Sequence, residues 1–277
     1  MGLFGPAKSS RPLKNLIEDS VFGHSFAPFP HMRKITLLSV FSIFFSLQTL
    51  AIDTGLLITF AQQGVPTSAT IRVLGFLDTN DGAKITADGK RHVIQGDHAA
   101  IIDFSLPSTS KRFFLLDLKT GDVKKYYTSH GRNSGMLQPT RFSNIKDSKT
   151  SSLGLVVTGE TYTGIHGFSL NLHGLEKHNA LVYKRRIVIH GADYVSEDFI
   201  RKYNRLGVSW GCPAVEDSVL PEIIKALPAG SLVYFYHPRI EPLVTKNPQK
   251  QELIDMPQFN EPIIDLPGEE EDFQSKL

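Results

Sequence analysis

The spacing of apolar residues changes several times along this chain, and each change marks an element. Ala99 to Phe104, Arg112 to Leu118, Leu153 to Thr158, Phe168 to Leu172 and Arg186 to His190 are short runs bounded by Gly, Ser, Asn or Lys. Runs of that length, rich in β-branched and aromatic residues, predict strands. Thr120-Gly121-Asp122 between Leu118 and Val123 predicts a hairpin turn. Helical spacing appears in Ser196 to Arg205 and in Ser218 to Leu227. Ser196 is placed to cap the first and Asp217 or Ser218 the second, with Pro228 and Gly230 stopping it. Ser231 to Tyr236 reads as a last strand. Ahead of these lies a lead-in, residues 52–98, in which Leu56 to Gln63 predicts a short helix. Asn80-Asp81-Gly82 and Asp88-Gly89 there are turn signals. The fold class is mainly β with short helices.

The two ends differ in texture. Met32-Arg33-Lys34 is followed by an apolar run, Ile35 to Leu47, and then by Gln48-Thr49-Leu50-Ala51. A basic start, a short apolar stretch and small residues at its end form a secretory signal pattern, with cleavage expected after Ala51 and translation expected to start at Met32. The competing reading is an uncleaved membrane anchor, which Ser39, Ser42, Ser46 and Gln48 weaken. Both readings export the remainder, so the expected location is periplasmic, envelope-associated or secreted, with membrane contact only if the segment is retained. After residue 238 the chain turns Pro-rich and then acidic, Glu269 to Asp272, a tail with little to bury. The expected division is therefore 1–51, 52–98, a catalytic domain over 99–238, and the tail 239–277.

Composition adds exclusions. The net charge of +2 and the lack of a basic stripe give no footprint for nucleic acid. The single cysteine forbids an internal disulfide. No Cys or His pair has metal-ligand spacing, so neither metal nor cofactor is expected. A lone thiol in an exported chain is either buried and inert or kept for its chemistry.

Two segments favour chemistry. Ile187-Val188-Ile189-His190-Gly191 is an apolar strand that delivers a histidine to a rim. Gly207-Val208-Ser209-Trp210-Gly211-Cys212-Pro213-Ala214 sets the thiol between Gly and Pro. Gly211 frees the backbone so that consecutive N–H groups can form an oxyanion hole. A nearby helix N-terminus or His190 is expected to lower the thiol pKa. A thiol needs a base, because at its ordinary pKa of roughly 8.5 only a few per cent is thiolate at neutral pH. His190 is the nearest candidate upstream. Asp193 is a candidate to orient His190, Ser209 either shapes the turn or donates to the site, and Trp210 either packs or stacks on substrate. Lys184, Arg185 and Arg186 read as a solvated face, with one of them available to bind a carboxylate.

An ordered set of motifs resembles the murein L,D-transpeptidase catalytic domain family, YkuD-like, in the branch with Ser-Trp-Gly-Cys-Pro-Ala. They begin with Asp103-Phe104-Ser105, Ser129-His130-Gly131 and Phe142-Ser143-Asn144. They continue through Thr158-Gly159-Glu160-Thr161-Tyr162, His166-Gly167-Phe168-Ser169-Leu170 and Gly174-Leu175-Glu176. They end with His190-Gly191-Ala192-Asp193-Tyr194 and Ser209 to Ala214, so the resemblance spans roughly residues 99–237. It implies a β-sandwich or barrel catalytic domain and a cysteine acyl-transferase acting on peptidoglycan tetrapeptide stems. Cys212 would attack the carbonyl of the third residue and expel the terminal D-Ala. Such an enzyme is expected to be acylated by carbapenem β-lactams. The candidate catalytic set is Cys212, His190, Gly211 and Ser209, with Tyr162, His166, Gly191, Trp210 and His130 as candidates to contact substrate; the competing readings are a strand-end pair with Glu160 for Tyr162 and a solvated turn histidine for His130. In the wider family the partner that orients the histidine can be a backbone carbonyl. Trp210 stands where that family has a histidine, and Val208 where it has a basic residue. Two other functions compete: an L,D-carboxypeptidase that hydrolyses the same acyl-enzyme, and a non-catalytic wall-binding module on the same fold.

Overall fold

The computed structural model describes residues 53–238 and a two-residue strand at Ile254–Asp255. The proposed signal segment and nearly all of the tail lie outside the described residues. Within them, no helix is long and apolar enough to cross a membrane.

The chain opens with helix α1, Thr54–Gln62, capped by Asp53, whose Oδ1 accepts from the Gly55 and Leu56 N–H groups. Helix α2, Thr67–Asn80, follows Pro66. Strands β1, Lys84–Ala87, and β2, Lys90–Val93, form a hairpin of their own. The main sheet is built from β3 (Gln95–Asp103), β4 (Phe113–Asp117), β5 (Val123–Tyr126), β7 (Gly154–Gly164), β8 (Gly167–Gly174), β9 (Val188–Gly191), β10 (Ala214–Val215) and β11 (Ser231–Tyr236). Their order is β10-β9-β8-β7-β11-β3-β4-β5, one large barrel-like mixed sheet. The pairs β9–β10 and β3–β11 are parallel and the others antiparallel. A short β6, Arg141–Phe142, pairs with β12, Ile254–Asp255. Helices α3, Glu197–Tyr203, and α4, Leu220–Ala226, complete the elements. The domain is thus mostly β with a few short helices, as the sequence predicts, although the strands join one large sheet rather than two sandwiched ones.

The central strands are buried on both faces, which explains their unbroken apolar runs. Side chains alternate across a strand, so neighbours enter opposite cores. Ala99 and Ile101 of β3, Leu155 and Val157 of β7, and Leu232 and Tyr234 of β11 pack with Phe60, Ala69, Val73 and Leu77 from α1 and α2. Ala100, Ile102, Val156 and Val233 enter the other core, with Leu170 and Leu172 of β8 and Ile223 and Leu227 near α4. Residues 54–94 therefore do more than lead in, because they cover one face of the sheet.

Three boundaries differ from expectation. Strand β7 runs on to Gly164 instead of ending at Thr158, since it continues into a hairpin with β8. Strand β9 begins at Val188, because Arg186 adopts a φ of 56° and cannot lie in a strand. Ser196 does cap α3, accepting from the Phe199 N–H, but α4 starts from Val219 with no side-chain cap. There Pro221 in the first turn has no N–H to be capped.

Candidate active site

Sheet register gathers most of the candidate residues. Tyr162 on β7 lies opposite Ser169 on β8, Ser169 opposite His190 on β9, and His190 opposite Ala214 on β10. Directly opposed residues share a face, so these side chains form one row across four strands. Cys212 stands two residues before the end of that row. At a strand spacing of about 4.8 Å, Tyr162 and His190 are roughly 10 Å apart along it.

His190 is 2% exposed. Its Nδ1–H donates to the Gly191 carbonyl at 2.8 Å, and because a carbonyl only accepts, the neutral ring must carry its proton on Nδ1. Nε2 is then the unprotonated nitrogen. Asp193, expected as a possible orienting partner, does not take this role. Burial first, and then the neighbouring His166, push the imidazole pKa down from 6.5 to about 4. The His166 ring stacks on it, with centroids 4.4 Å apart and planes 20° apart.

The thiol lies toward the core. Cys212 Sγ accepts from the Val188 N–H and donates to the Arg186 carbonyl, both at 3.5 Å. Burial raises its pKa from 9.0 to about 11, against the pull of the Val188 N–H and the Arg185 cation. This overturns the expectation of a lowered thiol pKa: the helix after the thiol starts only at Leu220, and burial keeps the His190 imidazole neutral. At neutral pH the resting pair is thiol and neutral imidazole. Tyr162 lies within electrostatic reach of Cys212, and burial followed by that thiol raises its phenol pKa.

The loop that carries the thiol is braced by Ser209. Its Oγ donates to the Cys212 carbonyl at 2.6 Å and accepts from the Gly211 N–H at 3.0 Å. The Gly211 N–H is therefore held inside the loop rather than aimed at an oxyanion hole. Gly211 is required by close approach: its φ is 125°, and a Cβ there would stand 2.7 Å from the Thr150 carbonyl oxygen. The segment Thr128–Arg132 runs alongside, with Ser209 N–H donating to the His130 carbonyl at 2.9 Å and Arg132 N–H to the Ser209 carbonyl at 2.8 Å.

His130 does not face the site. It is wholly buried, its Nε2–H donates to the Gly135 carbonyl at 2.8 Å, and its Nδ1 accepts from Arg112 at 2.7 Å. Burial and the adjoining guanidinium hold its pKa well below the usual value. It supports the loop from behind, and its expected substrate contact is corrected accordingly. Trp210 is 44% exposed, with Lys149 Nζ 4.2 Å above its ring, so it does not serve as core packing. Tyr162, Ile165 and Phe168 are likewise exposed near the β7–β8 turn.

Two contributors, Ser169 and Arg112, carry no role in the sequence, and a third, Arg185, carries a different one. Ser169 sits in the row between Tyr162 and His190. Arg112 is fully buried and ties Leu106, Thr128 and His130 together, its pKa lowered by burial to about 9. Arg185 was expected on a solvated face. Instead its guanidinium donates to the Ser143 and Thr150 carbonyls and the Ser152 hydroxyl at 2.6 Å each, and to the Ser148 hydroxyl at 3.2 Å. Its position in a Lys-Arg-Arg run hid this, since such runs are usually exposed. Among the described residues, no group of three or more His, Cys, Asp or Glu is arranged to hold a metal ion.

A mostly β domain with a cysteine loop and a strand-end histidine defines the class. The chain belongs to the L,D-transpeptidase catalytic domain family, whose model matches residues 79–236. Among solved structures it is similar to an L,D-transpeptidase from Mycobacterium smegmatis, at 10% identity and a TM-score of 0.33 over 56% of this chain. A second LD transpeptidase, solved in complex with imipenem, aligns at 10% identity and a TM-score of 0.32 over 55% of this chain. The chain spans 66% of the length of each. No curated protein matches.

Proposed function

We propose that this protein is a cysteine acyl-transferase of the cell envelope, with Cys212 as nucleophile and His190 as base. One observation carries the reading. The Nδ1–H bond to Gly191 leaves Nε2 of a neutral imidazole as proton acceptor, in a row of side chains that ends at the cysteine loop. A base must be unprotonated to act, and an imidazole pKa near 4 keeps it so at neutral pH.

Membership of the family supports a peptidoglycan tetrapeptide stem as the substrate class. On binding, the thiol leaves the Arg186 carbonyl and passes its proton to Nε2. Sγ bonds to the carbonyl carbon of the third residue, and the C–N bond to the terminal D-Ala breaks. The proton on Nε2 goes to the departing amine. An acceptor amine then attacks the thioester and gives a proton to Nε2, the S–C bond breaks, and that proton returns to sulfur to restore the thiol. Exposed Tyr162 and Trp210 are placed to contact the stem, and Gly191 serves as the orienting carbonyl. Ser209 acts by holding the loop rather than by touching substrate.

The test is mass analysis of products from a tetrapeptide muropeptide. A cross-linked dimer is the expected product, while a tripeptide alone would make the enzyme an L,D-carboxypeptidase. His190→Ala should slow the reaction by about 10²–10⁴-fold, and Cys212→Ser should abolish it. No product from the wild type would leave a binding module. The envelope location predicts a mature N-terminus at Ile52, read by sequencing the exported form.

A further inference from the structure

Strands β7 and β8 meet in a tight turn, Ile165–His166, closed by the pairing of Gly164 with Gly167. Gly167 takes a φ of 70°, which an L side chain rarely adopts, and so turns the chain sharply just after His166. His166 is exposed, whereas the ring it stacks on is almost fully buried. We infer that His166 is a positioning residue for His190, clamping its ring plane so that Nε2 is held ready as the base.

The geometry gives the reason. A single hydrogen bond from Nδ1 to Gly191 fixes one point of the imidazole but leaves the ring free to swing about it. A parallel ring at 4.4 Å covers one face and removes that freedom. Together the two contacts define both the plane and the tautomer. The stack also shields His190 from water, and a second imidazole at this distance opposes protonation of the His190 ring. Burial and His166 are the two influences that lower the His190 pKa, while the bond to Gly191 opposes them. Among the described residues, the other titratable or charged groups around the row are Tyr162 from β7, Cys212 from the loop ahead of β10, Arg185 and Arg186 before β9, Asp193 after β9 and Asp217 after β10. His166 is the group that meets the ring face. The β7–β8 turn is thereby part of the catalytic apparatus, and any shift of the turn alters the base.

This inference rests on His190 acting as the base, so the experiment reads the ring and the reaction separately. His166→Ala and His166→Phe are compared with the wild type. The His190 ring is titrated by NMR on histidine-labelled protein, and acylation of Cys212 by a carbapenem is timed across pH. In His166→Ala the His190 pKa should rise from near 4 toward 6.5, and the acid limb of acylation should move up with it. A rise to about 6 would cut the neutral base, and hence acylation at about pH 5, roughly tenfold. His166→Phe keeps a flat ring over His190, so its acylation near neutral pH should exceed that of the alanine variant. An unchanged His190 titration and pH profile in His166→Ala would overturn the inference. So would a phenylalanine variant no better than alanine. A wild type that shows the NMR shift on mutation but is never acylated would remove the enzymatic reading and leave the clamp standing.

Discussion

Replacing Arg185 with leucine removes a buried cation from beneath the cysteine loop. The guanidinium serves two backbone carbonyls and two hydroxyls. The hydroxyls keep other partners, since Ser148 and Thr150 share a hydrogen bond and Ser152 donates to the Ser143 carbonyl. The carbonyls lose most. A buried acceptor left without its donor costs about 1–3 kcal/mol; the Thr150 carbonyl loses its donor outright and the Ser143 carbonyl keeps only Ser152, which bounds the loss at about 6 kcal/mol. Relief from burying the cation offsets part of this, so the net loss is about 3 kcal/mol. In a domain of this size that lowers Tm by roughly 6–12 °C. Arg185→Lys should fall between, because a single ammonium cannot reach all four acceptors. Loss of the cation also removes one of the influences that favour the thiolate, so Cys212 should become still harder to ionise. Thermal unfolding followed by circular dichroism measures the first effect, and the pH dependence of thiol alkylation the second. A leucine variant melting within about 1 °C of wild type would refute the reasoning, since the lost hydrogen bonds cannot all be worth nothing.

Further perturbations target the same site. Gly211→Ala should destabilise the protein by at least about 2 kcal/mol, read by urea unfolding, because the new Cβ meets the Thr150 carbonyl and Ile187 at under 3 Å in a left-handed backbone. Ser209→Ala should cost about 1–2 kcal/mol and slow acylation, since it cuts both braces of the loop. Stability should fall as pH drops from about 6.5 toward 4: the folded-state pKa of His190 is depressed, so the native protein binds fewer protons than the unfolded chain in that window. Buried His130, also held well below its usual value, adds to the loss on acidification. The check is the urea midpoint at pH 7 against pH 4.5, and a midpoint that rises on acidification would contradict it.

How far these features can be read from the sequence varies with their physical origin. Strand β11 has the predicted bounds because Ser231 to Tyr236 is an unbroken apolar run between Gly and His. Helix α3 is legible from its Ser196 cap. Helix α2 is not, because Thr67, Thr70, Ile71 and Val73 are β-branched and weaken the local helical signal, and packing on the sheet overrides propensity there. In the site, Cys212 and His190 stand out by motif and spacing. Their protonation states do not, since burial sets them and burial depends on the assembled fold. The same holds for Arg185, whose four partners lie more than thirty residues away along the chain. The His166–His190 stack depends on the β7–β8 register, which includes an irregularity between Thr158 and Thr161.

The central claim is that Cys212 is the acylated nucleophile and His190 its base. The most direct measurement is intact-protein mass spectrometry after incubation with a carbapenem, followed by peptide mapping, on wild type, Cys212→Ser and His190→Ala. The wild type should gain one inhibitor mass on the peptide containing Cys212, the serine variant none, and the alanine variant the same adduct at a rate lower by about 10²–10⁴-fold. A folded wild type that stays unmodified while its thiol reacts only after denaturation would contradict the account, and would return Cys212 to an inert place in the core.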